Sequence, residues 1–201
     1  HFYDAKELRR VIPYDPVKAI GLYRRAATKY FSDAGYAALQ AAFGYIFHIG
    51  HLPLDWGLIA DLTHMAATKE RFMFSLPYIG YMRIHGFGVT KNIRFGVQSL
   101  TRVLDEEKRA LEEEDRVLFY DITRALTRVA LGYAYEKGYV SGKPDLDSAV
   151  AYYEESHQYI LSHKANLDEE LKDIPIDDEA EERLAAFEQV DGHWQYKEGI
   201  T

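Results

Sequence analysis

The chain has 201 residues, a formal charge of −8, 47% hydrophobic and 14% aromatic residues, 16 Tyr against 2 Trp, and no Cys. That length suits one domain or a short repeat array, and the apolar fraction is enough to bury a sizeable core rather than leave the chain disordered. Without cysteine, a disulfide framework, a thiolate zinc site, an iron–sulfur cluster and a Cys nucleophile are all excluded, while the redox compartment stays open.

Apolar periodicity predicts helices over 4–12, 16–31, 34–49, 55–68, 70–85, 92–110, 113–137, 146–163 and 178–189. No alternating β pattern of useful length occurs. Asp15 reads as an N-cap with Pro16 as the first helical residue. The longest apolar stretch, Tyr36 to Ile49, is broken by Gln40 and His48. It is too short to cross a bilayer, which takes about 20 residues.

Three segments look alike: A-A-F-G-Y-I-F-H-I-G (Ala41–Gly50), P-Y-I-G-Y-M-R-I-H-G (Pro77–Gly86) and V-A-L-G-Y-A-Y-E-K-G (Val129–Gly138). Gly44 and Gly80 are 36 apart; Gly80 and Gly132 are 52 apart, one period plus a 16-residue insertion near Asp105–Arg116. The polarity of that insertion predicts a helix extension facing solvent. A period in the mid-thirties is that of a helix–turn–helix solenoid. Asp55, Asn92 and Asp145 follow the first Gly of their units by 11, 12 and 13 residues, and Asp145 opens its helix as Asp15 does. A mid-helix Gly costs about 1 kcal/mol against Ala, so Gly44, Gly80 and Gly132 are expected to permit close helix approach. Gly50, Gly86 and Gly138 stand where helices end and left-handed caps are needed.

These residues resemble the Sel-one-like repeat, a relative of the tetratricopeptide repeat. Ile79–Asn92 fits that pattern most fully, Ala130–Ala149 fits with a longer loop, Phe43–Ala67 fits less closely, and the first copy fits only over Asp15–Ala27. Arg83 replaces a Tyr position that Phe47 and Tyr135 fill in their copies, and Trp56-Gly57 replaces an expected Lys-Ala. The resemblance implies an all-α, right-handed α-solenoid of helix–turn–helix repeats whose concave face binds proteins, with no chemistry of its own. Relatives serve as adaptors, and in bacteria some resemble immunity proteins for secreted antibacterial toxins, often exported. The first residue is His rather than Met, which leaves room for a removed leader; a periplasmic location is favoured and a cytoplasmic one stays open.

Candidate sites follow from this frame. His48, His51, His64 and His85 lack ligand spacing and no H-E-x-x-H motif occurs, so neither a metal nor a cofactor is expected. Carboxylate runs such as Glu112–Asp115 and Asp177–Glu182 read as solvated faces, and no nucleophile elbow, P-loop or dinucleotide fingerprint is present. The resemblance places positions one and five after each first Gly on the concave side: Tyr45 and Ile49, Tyr81 and His85, Tyr133 and Lys137, with Arg83 as a polar addition. A single Tyr reads first as packing; the repeated row reads as a partner-binding groove.

The division expected is a repeat solenoid over 1–165 and an acidic cap and tail over 166–201. The first carries 20 acidic and 21 basic residues; the second carries 12 acidic and 3 basic. With no basic face, nucleic acid is not expected as a partner. In the tail, Asp177 or Asp178 can cap a terminal helix with Leu184 and Phe187 on its apolar stripe, and Trp194 packs back or stays mobile. The leading expectation is a non-enzymatic protein-binding solenoid, specifically an immunity protein that neutralises an effector. The alternatives are an adaptor in an envelope or signalling complex and a hydrolase with a site between repeats.

Overall fold

The computed structural model describes residues 16–28, 34–46, 53–68, 72–112, 121–165 and 178–200. The expectations for 4–12, His48, Ile49, Gly50 and His51 lie outside them. The helices are α1 (Pro16–Ala27), α2 (Ala34–Ile46), α3 (Trp56–Thr68), α4 (Phe72–His85), α5 (Ile93–Glu112), α6 (Asp121–Glu136), α7 (Leu146–Ala165) and α8 (Glu179–Leu184). Strands β1 (Phe187–Val190) and β2 (His193–Tyr196) follow. Each helix packs on the next through α5, α4 also packs on α6, and α6 packs extensively on α7, so this is an all-α solenoid of antiparallel pairs. Among the described residues, no helix is long and apolar enough to cross a membrane.

The repeat frame is built as the spacing predicts. Asp55, Asn92 and Asp145 each accept the backbone N–H three residues on, from Leu58, Phe95 and Ser148, all at 3.0 Å. Such caps satisfy donors that the first helical turn leaves orphaned. At the other end, Gly86 and Gly138 adopt φ 81° and 70°, closing α4 and α6 in the left-handed conformation. The loop then returns identically in both units: Asn92 N–H donates to the Arg83 carbonyl at 2.9 Å and Asp145 N–H to that of Tyr135 at 3.1 Å.

Close approach explains the mid-helix glycines. A Cβ on Gly44 would lie 2.6 Å from Ile20 Cγ1, one on Gly80 2.5 Å from Leu100 Cγ, and one on Gly132 2.6 Å from Tyr153 Cε1. Ile59, Ile84, Leu100, Val150 and Tyr153 are fully buried around these crossings. Each buried side chain of this size contributes about 1.5–3 kcal/mol.

Two expectations need correction. The inserted stretch is not simply a solvent-facing extension: Glu107 is buried and pairs with Arg124 at 3.2 Å and Arg128 at 2.5 Å, bracing α5 against α6. The last helix stops at Leu184 rather than 189. Phe187–Val190 pairs antiparallel with His193–Tyr196 about Asp191-Gly192, whose φ values are 52° and 83°. Asp-Gly is the dipeptide that a tight two-residue hairpin turn with positive φ favours, so the local turn chemistry overrides a weak helical stripe.

Candidate functional site

Six rings form a strip across three units. Trp56, at the start of α3, stacks 4.6 Å from Phe87, in the turn after α4, and 5.7 Å from Tyr81. Tyr81 and His85 are one helical turn apart on α4, with ring centroids at 4.6 Å. His85 also meets Phe87 at 4.9 Å and Tyr133 of α6 at 4.4 Å; Tyr133 meets Tyr139 edge-on at 6.0 Å. The turn is pressed onto Trp56, since a Cβ on Gly88 would strike the Trp56 carbonyl. Tyr81 is buried, whereas Trp56, His85, Phe87, Tyr133 and Tyr139 are half-buried, so the strip shows one edge to solvent. Lys91 lies over the Tyr139 ring at 5.5 Å.

Burial pushes the His85 imidazole down to about 4, opposed by the Glu179 charge and helped by those of Arg183 and Lys91. It is neutral at neutral pH, and its buried Nε2 has no hydrogen-bond partner among the described residues.

Beside the strip, the C-terminal segment docks on a polar socket centred on Glu136. Its buried carboxylate accepts from the hydroxyls of Tyr153 at 2.6 Å and Tyr196 at 2.8 Å, and pairs with Lys137 at 2.5 Å and Arg183 at 3.3 Å. Burial alone would raise its pKa. The hydrogen bonds from Lys137, Tyr153 and Tyr196 and the Arg183 charge outweigh that and hold it below the usual carboxylate range. The Arg183 guanidinium lies 4.7 Å from the Tyr133 ring centre and bonds Glu179 at 3.0 Å, and Glu179 accepts from the Tyr81 hydroxyl at 2.7 Å. Phe187 stacks between Tyr153 and Tyr196. Trp194 is half-buried and packs back on the body, its backbone N–H donating to the Asp147 carboxylate at 3.1 Å.

The sequence-derived residues divide accordingly. Tyr81, His85 and Tyr133 join the strip, and Lys137 lies over Tyr133 at 5.6 Å. Tyr45 is buried in the core. Arg83 stands apart, its guanidinium donating to the Thr90 carbonyl at 2.7 Å across the turn. Ile49 lies outside the described residues. Sequence reasoning missed Trp56, Phe87, Tyr139, Glu136 and Arg183. Trp56 had a signal, since it breaks the repeat pattern; Arg183 and Glu136 had none, because each reads as an ordinary helix-surface charge.

One group of described residues, His157, Asp178 and Glu181, has donor atoms within 4.8 Å of one another. Both Asp178 oxygens are engaged, one with His157 Nδ1 at 2.7 Å and one accepting the Glu181 N–H at 3.1 Å. Asp178 therefore caps α8 and pins it to α7.

The Sel1 repeat family model matches the chain at residues 8–30, 78–98 and 123–156. The last two stretches cover the α4–α5 turn and the α6–α7 pair, while the central copy, Phe43–Ala67, falls outside. No curated protein and no solved structure matches the chain. Sel1 repeats generally form protein-binding, non-catalytic scaffolds. The sequence matches and the repeated cap–turn–cap geometry agree: the chain carries Sel1-like repeats over these stretches, the helical repeats of protein-interaction scaffolds.

Proposed function

We propose that the aromatic strip is the surface by which this solenoid holds its partner, and that the partner is a secreted antibacterial effector which the chain neutralises as an immunity protein. The observation that carries the binding surface is the strip from Trp56 to Tyr139, continuous across three units and half-exposed at every ring but Tyr81. Tyr and Trp supply much of the energy of protein interfaces because each buries a large rigid surface and keeps a polar tip. Neutralisation requires only that the chain occlude its target, and the immunity reading rests on the family resemblance. Under that reading the chain works in the periplasm.

The test is co-expression and size-exclusion chromatography with the toxic product of the adjacent gene. A stable complex and restored growth are expected, with Tyr133→Ala weakening binding by about tenfold or more. Absence of a complex sinks the immunity reading and leaves the solenoid as it is.

A further inference from the structure

A cavity of about 280 Å³ opens where α2, α3, α4, α6 and α7 meet the last helix. Its floor is aliphatic, with Leu126, Val129 and Ile160 presented by α6 and α7. One wall is aromatic, formed by Trp56 and Tyr81. Its rim is acidic: Asp178, Glu179 and Glu182 border the opening, and among the described residues no Lys or Arg lines it. Glu179 is paired with Arg183 and Asp178 is hydrogen-bonded to His157, but Glu182 is exposed and has no ion pair among the described residues.

We propose that this cavity receives one basic side chain of the partner protein, an aliphatic stem ending in a guanidinium. This builds on the protein-binding reading above. The size admits a single side chain, since pockets for whole small molecules run from about 300 to 1,000 Å³. The stem's methylenes meet Leu126, Val129 and Ile160, and Arg buries such a stem while its head stays near water. The head meets the Trp56 and Tyr81 rings, which attract cations, and the carboxylates above them. Because the rim is open, the cation keeps part of its hydration and avoids the full penalty of a buried charge. An anion meets repulsion at the same rim. A wholly apolar side chain fills the floor but leaves the Glu182 charge uncompensated.

The probe is N-acetyl-arginine methylamide, with N-acetyl-citrulline methylamide as its neutral twin of nearly the same shape, titrated into the full chain and followed by NMR. The arginine compound is expected to shift the methyl signals of Leu126, Val129 and Ile160 and the Trp56 indole. It should bind about fivefold or more tightly than the citrulline compound, and Glu182→Gln, at an exposed position, should weaken it about threefold. Equal binding of the two compounds overturns the proposal, as does an arginine titration that leaves the cavity signals unmoved. A partner complex that forms while the arginine probe is silent overturns the cavity assignment alone. A probe that binds while the adjacent gene product does not supports the cavity assignment and counts only against the immunity reading.

Discussion

In the repeat made by α4 and α5, Gly80 lets Leu100 close against the helix, and one turn further on Ile84 is fully buried. In the repeat made by α6 and α7, the corresponding places hold Gly132, Tyr153 and Glu136. The caps, the glycine turns and the returning backbone bond are the same in both units. The difference lies in one coupled pair. Ile84 and Leu100 make an apolar seam, whereas Tyr153 donates to Glu136 at 2.6 Å and leaves carboxylate lone pairs for Arg183 and Tyr196. A repeat thus becomes a docking socket without any change of backbone: a buried acceptor is tolerable only when donors converge on it, and the C-terminal segment supplies two of them.

The comparison breaks hardest at Glu136. Glu136→Ala strands Tyr153, Tyr196 and Arg183 together, and is expected to cost about 3 kcal/mol in chemical denaturation. Its signature is regional, with amides of 187–196 exchanging much faster than those of α4 and α5. Ile84→Ala costs a similar amount, about 2–5 kcal/mol, through a cavity, and should leave the protection of the hairpin relative to the rest unchanged. Equal hairpin protection in both variants would show that Glu136 is not what holds the segment.

Gly132→Ala is the next test. The added methyl meets the Tyr153 ring at 2.6 Å and the Ala149 carbonyl at 3.1 Å. Overpacking of this kind costs about 1–3 kcal/mol, against about 1 kcal/mol gained in helix propensity. A thermal melt should show net destabilisation. Because the ring that must shift carries the hydroxyl bonded to Glu136, the hairpin should loosen as well, which Gly80→Ala does not cause.

This coupling also shows what the sequence could reveal. Asn92, Asp145, Gly86 and Gly138 act through their own backbone neighbours, so their spacing announced the turns, and Gly80 and Gly132 announced close crossings. Trp56 was visible as an oddity in the repeat, but its contact with Phe87 depends on a turn more than thirty residues on. Glu136 and Arg183, 47 residues apart, carry nothing local that distinguishes them from surface charges. Glu107 misled for the same reason: it lies in the polar run D-E-E-K-R, and only the tertiary approach of Arg124 and Arg128 accounts for its burial. The hairpin had a local signal in Asp191-Gly192, which the helical stripe of Leu184 and Phe187 obscured.

Acid separates the strip from the socket. His85 binds a proton below about 6.5 when unfolded and only below about 4 when folded, a depression caused mainly by burial, with Glu179 opposing and Arg183 and Lys91 assisting. Its folded pKa is lowered, so stability falls as pH drops from about 6.5 to 4. His163, also depressed by burial, adds in the same direction. The loss should be on the order of 1–2 kcal/mol by pH 5. Glu136 behaves differently: its contribution is intact above the ordinary value of 4.5 and is lost only as pH falls through its lower folded value. Denaturation midpoints across pH should therefore decline in two stages, and His85→Phe should flatten the first while leaving the second.

The smallest effect compares the two caps. Asn92 and Asp145 accept the same backbone bond, at 3.0 Å, but Asp145 also accepts the Ser148 hydroxyl at 2.8 Å and brings a charge to the helix N-terminus. The Ser148 backbone and side-chain bonds hold its carboxyl below the usual range. Replacing either cap by Ala should cost about 1 kcal/mol. Asp145→Asn preserves the cap geometry that Asn92 already demonstrates and removes only the charge, so it should cost about 0.3–1 kcal/mol at neutral pH in low salt. That deficit should shrink as salt screens the helix dipole. It should also vanish in acid, once Asp145 is protonated in both folded and unfolded chains. A deficit that survives in high salt would mean that the second bond to Ser148, rather than the charge, sets the α7 cap apart from the α5 cap.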